Sequence, residues 1–237
     1  MQRFESFGEF RQQEKETKKD IILGAAIRVF SEKSVQRTSL REIAQEAGIS
    51  HPNIYHYFRD KQTLFVDAFL VGAQELMQRM ESSVHLSSQR DPLAAAADTI
   101  ISYLQENEYY FMMMTQFILE GQLSPDCVHR LNEAMKSVLS RIDSVLQNAG
   151  ATNNVRYLSH TFFACINGIL ITYRNYPGRD SQEIDQHMRT LASIFLQLLK
   201  DGILTGNYKA HLPSEIRETG SAKDPSDSGA ASPGQKL

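Results

Sequence analysis

Residues 38–58 read TSLREIAQEAGISHPNIYHYF, and this stretch decides the fold. Ser39 followed by Glu42 is an S-x-x-E capping box at the start of a short helix. Leu40, Ile43, Ala44 and Ala47 then share one face of that helix. Gly48 follows where a left-handed residue ends a helix without a Cβ clash. A second helix opens at Ser50 and is expected to run through Phe58; Pro52 sits in its first turn, where a missing N–H costs nothing. Ala44 is small where two helices must approach, and Ile49 and Ile54 fill the space between them. This is a helix-turn-helix pattern, a unit that lays its second helix in the DNA major groove.

The residues left facing outward have the chemistry for that task. Asn53 can pair with adenine through two hydrogen bonds, and His51 can donate to or accept from a base edge. Pro52 offers an apolar face to a thymine methyl. Ser50 opens the same outward row. Tyr55 and His56 can donate to phosphate, and Lys61 adds a point charge at the next helix start. Thr38, Ser39 and the free N–H groups of the first of the two helices suit a backbone phosphate. Arg41 can reach phosphate or guanine, and Lys18 and Lys19 can touch the flanking backbone. The alternative is a polar, surface-exposed helix pair in an all-α protein.

Away from this stretch the 237 residues keep a helical rather than an alternating period. Ile22, Ala25, Ala26, Val29 and Phe30 form one stripe, with Thr17 and Asp20 spaced to cap its start. A long helix begins near Asp60 and carries Leu64, Ala68, Val71, Leu76 and Met80. Pro and Gly punctuation predicts further helices near 92–106, 107–120, 125–148, 154–174 and 182–203. The fold class is therefore all-α. Phe4, Phe7 and Phe10 lie in a polar segment, 1–16, that reads as a flexible arm or as a short amphipathic turn. Residues 213–237 are rich in Pro, Ser, Gly and charge, too poor in apolar surface to offset the entropy of ordering.

Composition excludes several classes. Two cysteines, Cys127 and Cys165, give no disulfide framework. His160 and His187 lack companions for a metal set, so no metal and no cofactor is expected. Neither G-x-S-x-G nor a phosphate loop occurs, and no enzyme is expected. The start has no apolar signal segment and no apolar run approaches membrane length, so a cytoplasmic protein is the expectation. The net charge of −3 is uneven: residues 1–62 hold 11 of the 25 Lys/Arg but only 9 of the 28 Asp/Glu. A slightly basic head on an acidic body is compatible with an anionic partner for the head.

Residues 18–70 resemble the N-terminal domain of the TetR family of transcriptional regulators. The matching marks are the AA-x-x-x-F helix ending in EK, the TS-x-REIA-x-EAG-IS run, IYHYF, and the D-K-x-x-L start of the linking helix. The resemblance carries the family's DNA-contacting positions onto Thr38, Ser39, Arg41, Ser50, His51, Pro52, Asn53, Tyr55, His56 and Lys61. It departs at Ser34, where the family usually has Gly after EK; a left-handed Ser would cost roughly 1 kcal/mol.

The resemblance also implies a DNA-binding domain over 17–62 and a helical effector-binding and dimerisation domain over 63–212. The partners it implies are a palindromic operator in double-stranded DNA, a second copy of the chain and a small hydrophobic effector, with no membrane. The last two helices would form the dimer face. YLQENEYYFMMMTQF, 103–117, is unusually rich in aromatic and Met side chains. Tyr103, Tyr110, Phe111, Met114 and Phe117, with Phe162, Phe163 and Asn167, are candidates to line an effector pocket or simply to fill the core. The function expected is a ligand-responsive repressor; the alternative is an adaptor or activator without a small-molecule effector.

Overall fold

The structure, a computed structural model, describes residues 7–86, 91–120 and 122–211. Among them every regular element is helical: α1 (Phe7–Glu32), a 3-10 turn (Val35–Arg37), α2 (Leu40–Glu46), α3 (His51–Ile54), α4 (Lys61–Leu86), α5 (Pro92–Glu106), α6 (Glu108–Glu120), α7 (Pro125–Asn148), α8 (Val155–Tyr173), α9 (Ser181–Thr205) and a second 3-10 turn (Asn207–His211). Of the expected arm over 1–16, residues 7–16 are helical rather than a flexible arm, because they continue α1; residues 1–6 and the tail 213–237 lie outside the described residues.

Local signals account for most boundaries. The Ser39 side chain accepts from the Glu42 N–H at 3.3 Å, and the Glu42 carboxylate accepts from the Ser39 N–H at 2.8 Å, which closes the capping box. At the other end of α2, Gly48 adopts φ 67°. Its N–H donates to Gln45 O and that of Ile49 to Ala44 O, so both trailing carbonyls are satisfied. Asp180 and Glu183 form the same box at the start of α9, and Gly206 at φ 69° ends it.

Two expectations change. α1 begins at Phe7, so Thr17 caps nothing; its hydroxyl donates to Gln13 O inside the helix. Ser34 is extended (φ −61°, ψ 158°), so the left-handed strain expected there is absent. The carbonyl of Ser34 instead starts the 3-10 turn, accepting from Arg37 N.

The chain divides into two compact units. The first holds the chain up to Ala73 together with Asn107–Leu131. Ile22, Ala26 and Phe30 of α1, Ile43 and Ala44 of α2, Ile54 of α3 and Phe58, Leu64 and Phe65 are buried in it. Each large apolar side chain so buried contributes roughly 1.5–3 kcal/mol. Arg28–Glu46 (2.6 Å) and Lys33–Glu42 (2.5 Å) tie α1 to α2 at the surface of this unit. Among the described residues, the second unit holds Gln74–Glu106 and the chain from Asn132 to His211. Its core is Leu93, Ile100 and Tyr103 of α5, Ile142 of α7, Phe162, Ile166 and Leu170 of α8 and Met188 of α9.

Candidate nucleic-acid interface

α3 is a single turn continued by hydrogen-bonded turns: His56 N donates to Asn53 O, and both Tyr57 N and Phe58 N donate to Ile54 O. Ile54 and Phe58 are fully buried and anchor this segment in the first unit. Ile54 and Phe58 face the core and Tyr57 is half-buried, while the polar residues around them face away. Ser50, His51, Pro52, Asn53, Tyr55 and His56 are all exposed, as are Ser39 and Arg41 at the start of α2. Eight of the ten expected contact residues therefore lie on the solvent side of α2 and α3.

The other two do different work. Thr38 is only 3% exposed, and its hydroxyl donates to Ser34 O at 3.1 Å. It is committed to the turn ahead of α2, so its side chain does not project as the sequence suggests. Lys61 donates to Gln36 O at 2.7 Å and Thr38 O at 2.8 Å, clamping that same turn to the start of α4. It remains half-buried. Lys18 and Lys19 are also engaged, Lys18 with Glu14 at 2.8 Å and Lys19 with Asp67 at 3.4 Å and over the Phe58 ring.

Electrostatics favour a rigid frame around the exposed row. The hydrogen bond from Lys33, then those from the Ser39 N–H and hydroxyl, pull the Glu42 carboxyl down to about 2. Glu42 thus stays ionised and keeps the α2 cap and the α1 tether closed. Its carboxylate occupies the Ser39 N–H that the sequence offers to a phosphate. From the residue just after α3, the Tyr55 hydroxyl lies 3.3 Å from His51 Nε2, and the two rings meet edge to face at 5.2 Å. Sequence reasoning missed this pair, although its i, i+4 spacing was the available signal.

The expected effector residues divide between the units. In the first, Tyr110, Phe111 and Met114 are buried, and Phe117 is half-buried with its ring 5.2 Å from that of Phe65. The Tyr110 hydroxyl donates to Phe69 O at 3.1 Å. In the second, Tyr103 is buried under the Arg79 guanidinium. Burial, then the charge of Glu75, pushes its phenol well above the usual tyrosine range. Phe162 is fully buried, and Phe163 is half-buried. Asn167 is buried; its amide donates to Phe163 O while its Oδ1 has no partner.

Two surface grooves lie in the second unit. One, of about 340 Å³, runs between α5 and α9 past Asp91, Asp98, Ile101, Arg189, Leu196 and Lys200. The other, of about 600 Å³, lies along α4 and α5 past Glu75, Arg79 and Ser102. None of the eight expected effector residues lines either groove. Within the first unit the Phe117 and Tyr110 rings meet those of Phe65 and Phe69, and within the second the Phe162 ring meets that of Phe195.

Comparison with known proteins follows from this geometry. Residues 22–68 match the family model described as bacterial regulatory proteins, tetR family. The chain is 24% identical over 189 residues to the fatty acid metabolism regulator protein of Bacillus subtilis, covering 77% of this chain and 93% of that one. A candidate TetR-family transcriptional regulator from Mesorhizobium loti superposes with a TM-score of 0.59 at 25% identity, covering 78% of this chain and 97% of its own. The regulator FadR of Bacillus subtilis, solved in complex with stearoyl-CoA, superposes with a TM-score of 0.61 at 20% identity, covering 73% and 96%.

Proposed function

We propose that the chain is a transcriptional regulator of the TetR family, whose model matches residues 22–68, and that it acts as a dimeric repressor that leaves a palindromic operator when it binds a hydrophobic effector. The observation that carries this reading is the row His51, Pro52, Asn53, Tyr55 and His56, exposed on a segment whose Ile54 and Phe58 are locked in the core. A reading helix must be held firmly while its polar side chains stay free, and that is the division seen here. Arg41 at the start of α2 supplies a flanking phosphate contact, while Ser39 is committed to the capping box with Glu42.

Long-chain acyl thioesters are the effector class we favour. A relative that the alignment covers over 93% of its length is named for fatty acid metabolism, and a structure sharing the fold was solved in complex with stearoyl-CoA. The run of aromatic and Met side chains on α6 supplies adaptable apolar walls for such a chain once the helix shifts. Any effector can move the equilibrium only through its different affinity for the two states.

Dimerisation through α8 and α9 accounts for Ile171, Ile194 and Leu198, which are 47%, 54% and 67% exposed. Met188, Leu199, Leu158 and Phe162 are buried within the second unit, so the face offered to a partner is narrower than the full apolar stripe of these helices.

The test is fluorescence anisotropy on duplexes selected by the protein from a randomised library, with and without stearoyl-CoA. The reading predicts tight binding to a two-fold symmetric sequence and release by stearoyl-CoA. Binding that ignores sequence would defeat it, and selective binding that stearoyl-CoA leaves untouched would remove this effector class.

A further inference from the structure

We propose that Tyr55 is a positioning residue for His51, and that the pair together reads the N7 edge of a purine. The inference rests on the DNA-binding role proposed above and goes beyond it by assigning Tyr55 away from phosphate.

The two side chains stand one helical turn apart, both exposed, with Tyr55 Oη 3.3 Å from His51 Nε2. Their rings meet at 5.2 Å with an interplanar angle of 73°, so each limits the rotation of the other. A phenol donates a hydrogen bond better than it accepts one, because its oxygen lone pair is delocalised into the ring. Tyr55 therefore donates and His51 Nε2 accepts. In its neutral form an imidazole carries one N–H, and the partner of one nitrogen sets the state of the other. His51 then bears its proton on Nδ1 and presents a donor.

His51 is the first residue of α3, and the first turn of a reading helix meets base edges. A single donor there needs an acceptor. In the major groove both purines offer N7, and guanine adds O6 beside it where adenine places an amino donor. Guanine is thus the favoured base, and cytosine, which presents a donor, is the worst. A hydroxyl already spent on His51 is not the simple phosphate donor that its place in the sequence suggests.

The experiment compares wild type, Tyr55→Phe, His51→Ala and the double variant on the duplex that wild type selects from a randomised library. Tyr55 is exposed, so loss of one hydroxyl leaves the fold intact. Tyr55→Phe is expected to lose about tenfold in preference at one purine position while other positions and non-specific affinity stay unchanged. The 7-deaza analogue of that purine should weaken wild type by a similar factor and leave Tyr55→Phe unaffected. The double variant should be no worse than His51→Ala, since coupled groups are not additive. Equal weakening of Tyr55→Phe on every duplex would show a phosphate contact and overturn the proposal, as would an unchanged preference profile. Wild type that selects no sequence at all would instead defeat the DNA-binding role itself, and this inference with it.

Discussion

Asn53 is exposed on α3 immediately before the buried anchor Ile54. Its amide can make two hydrogen bonds to an adenine edge, so Asn53→Ala should lose about 1–3 kcal/mol on the selected operator and relax choice at one position. Competition with single-base variants of the operator measures this; equal loss on random DNA would contradict base reading. Lys61 works differently. Its ammonium bonds two main-chain carbonyls, so Lys61→Met should lower the stability of the first unit by about 1–3 kcal/mol, visible as a shift in the thermal midpoint. Thr38, whose hydroxyl turns inward, belongs to the same scaffold. Neither role is legible in the sequence, because the carbonyls that Lys61 grips lie 23 and 25 residues away in the chain. The exposure of His51, Asn53 and His56 was legible, because Ile54 and Phe58 had to be inside.

At the scale of elements, α2 depends on one carboxylate. Glu42 titrates at about 2, below its ordinary value of 4.5, so its contribution is present above 4.5 and is lost as the pH falls through about 2. Acid titration of circular dichroism should therefore show part of the loss of structure between those values, and Glu42→Gln should remove that component. A second device joins α4 and α6 within the first unit. The Tyr110 ring lies across Gly72, where an added Cβ would come within 2.5 Å of ring carbons. Alanine normally stabilises a helix interior relative to glycine by roughly 0.5–1 kcal/mol. Here Gly72→Ala should instead cost about 1–3 kcal/mol through overpacking, and Tyr110→Leu in the same chain should recover part of it. Chemical denaturation of the three variants checks the sign.

The helix bounds of α5 and α7 were readable because Pro92 and Pro125 open them. The N-terminal half of α1 was not, since it carries no apolar stripe. It is held by side-chain pairs four residues apart, Gln12 with Glu16 and Glu14 with Lys18.

For the whole molecule, the question is whether two copies act together. Leu198 is 67% exposed on α9 and lies in the proposed dimer face, so Leu198→Glu should shift the protein to a monomer in sedimentation while helical content is retained. Two half-sites would then bind independently and operator affinity should fall by orders of magnitude. The division of α9 was only partly legible: the sequence shows a wide apolar stripe, but not that Met188, Leu196 and Leu199 serve the internal core while Ile194 and Leu198 stay exposed. The role of the aromatic and Met side chains on α6 was the least legible, because at helical spacing such residues describe a wall and a core equally well.

The central claim, that the exposed row on α3 reads DNA, is tested most directly by measuring affinity for a library-selected duplex and for a scrambled one across a salt series. The account predicts that the selected duplex binds at least about 10³-fold more tightly, and that affinity for both falls steeply as salt rises. Equal affinity for the two duplexes, or affinity indifferent to salt, would contradict it.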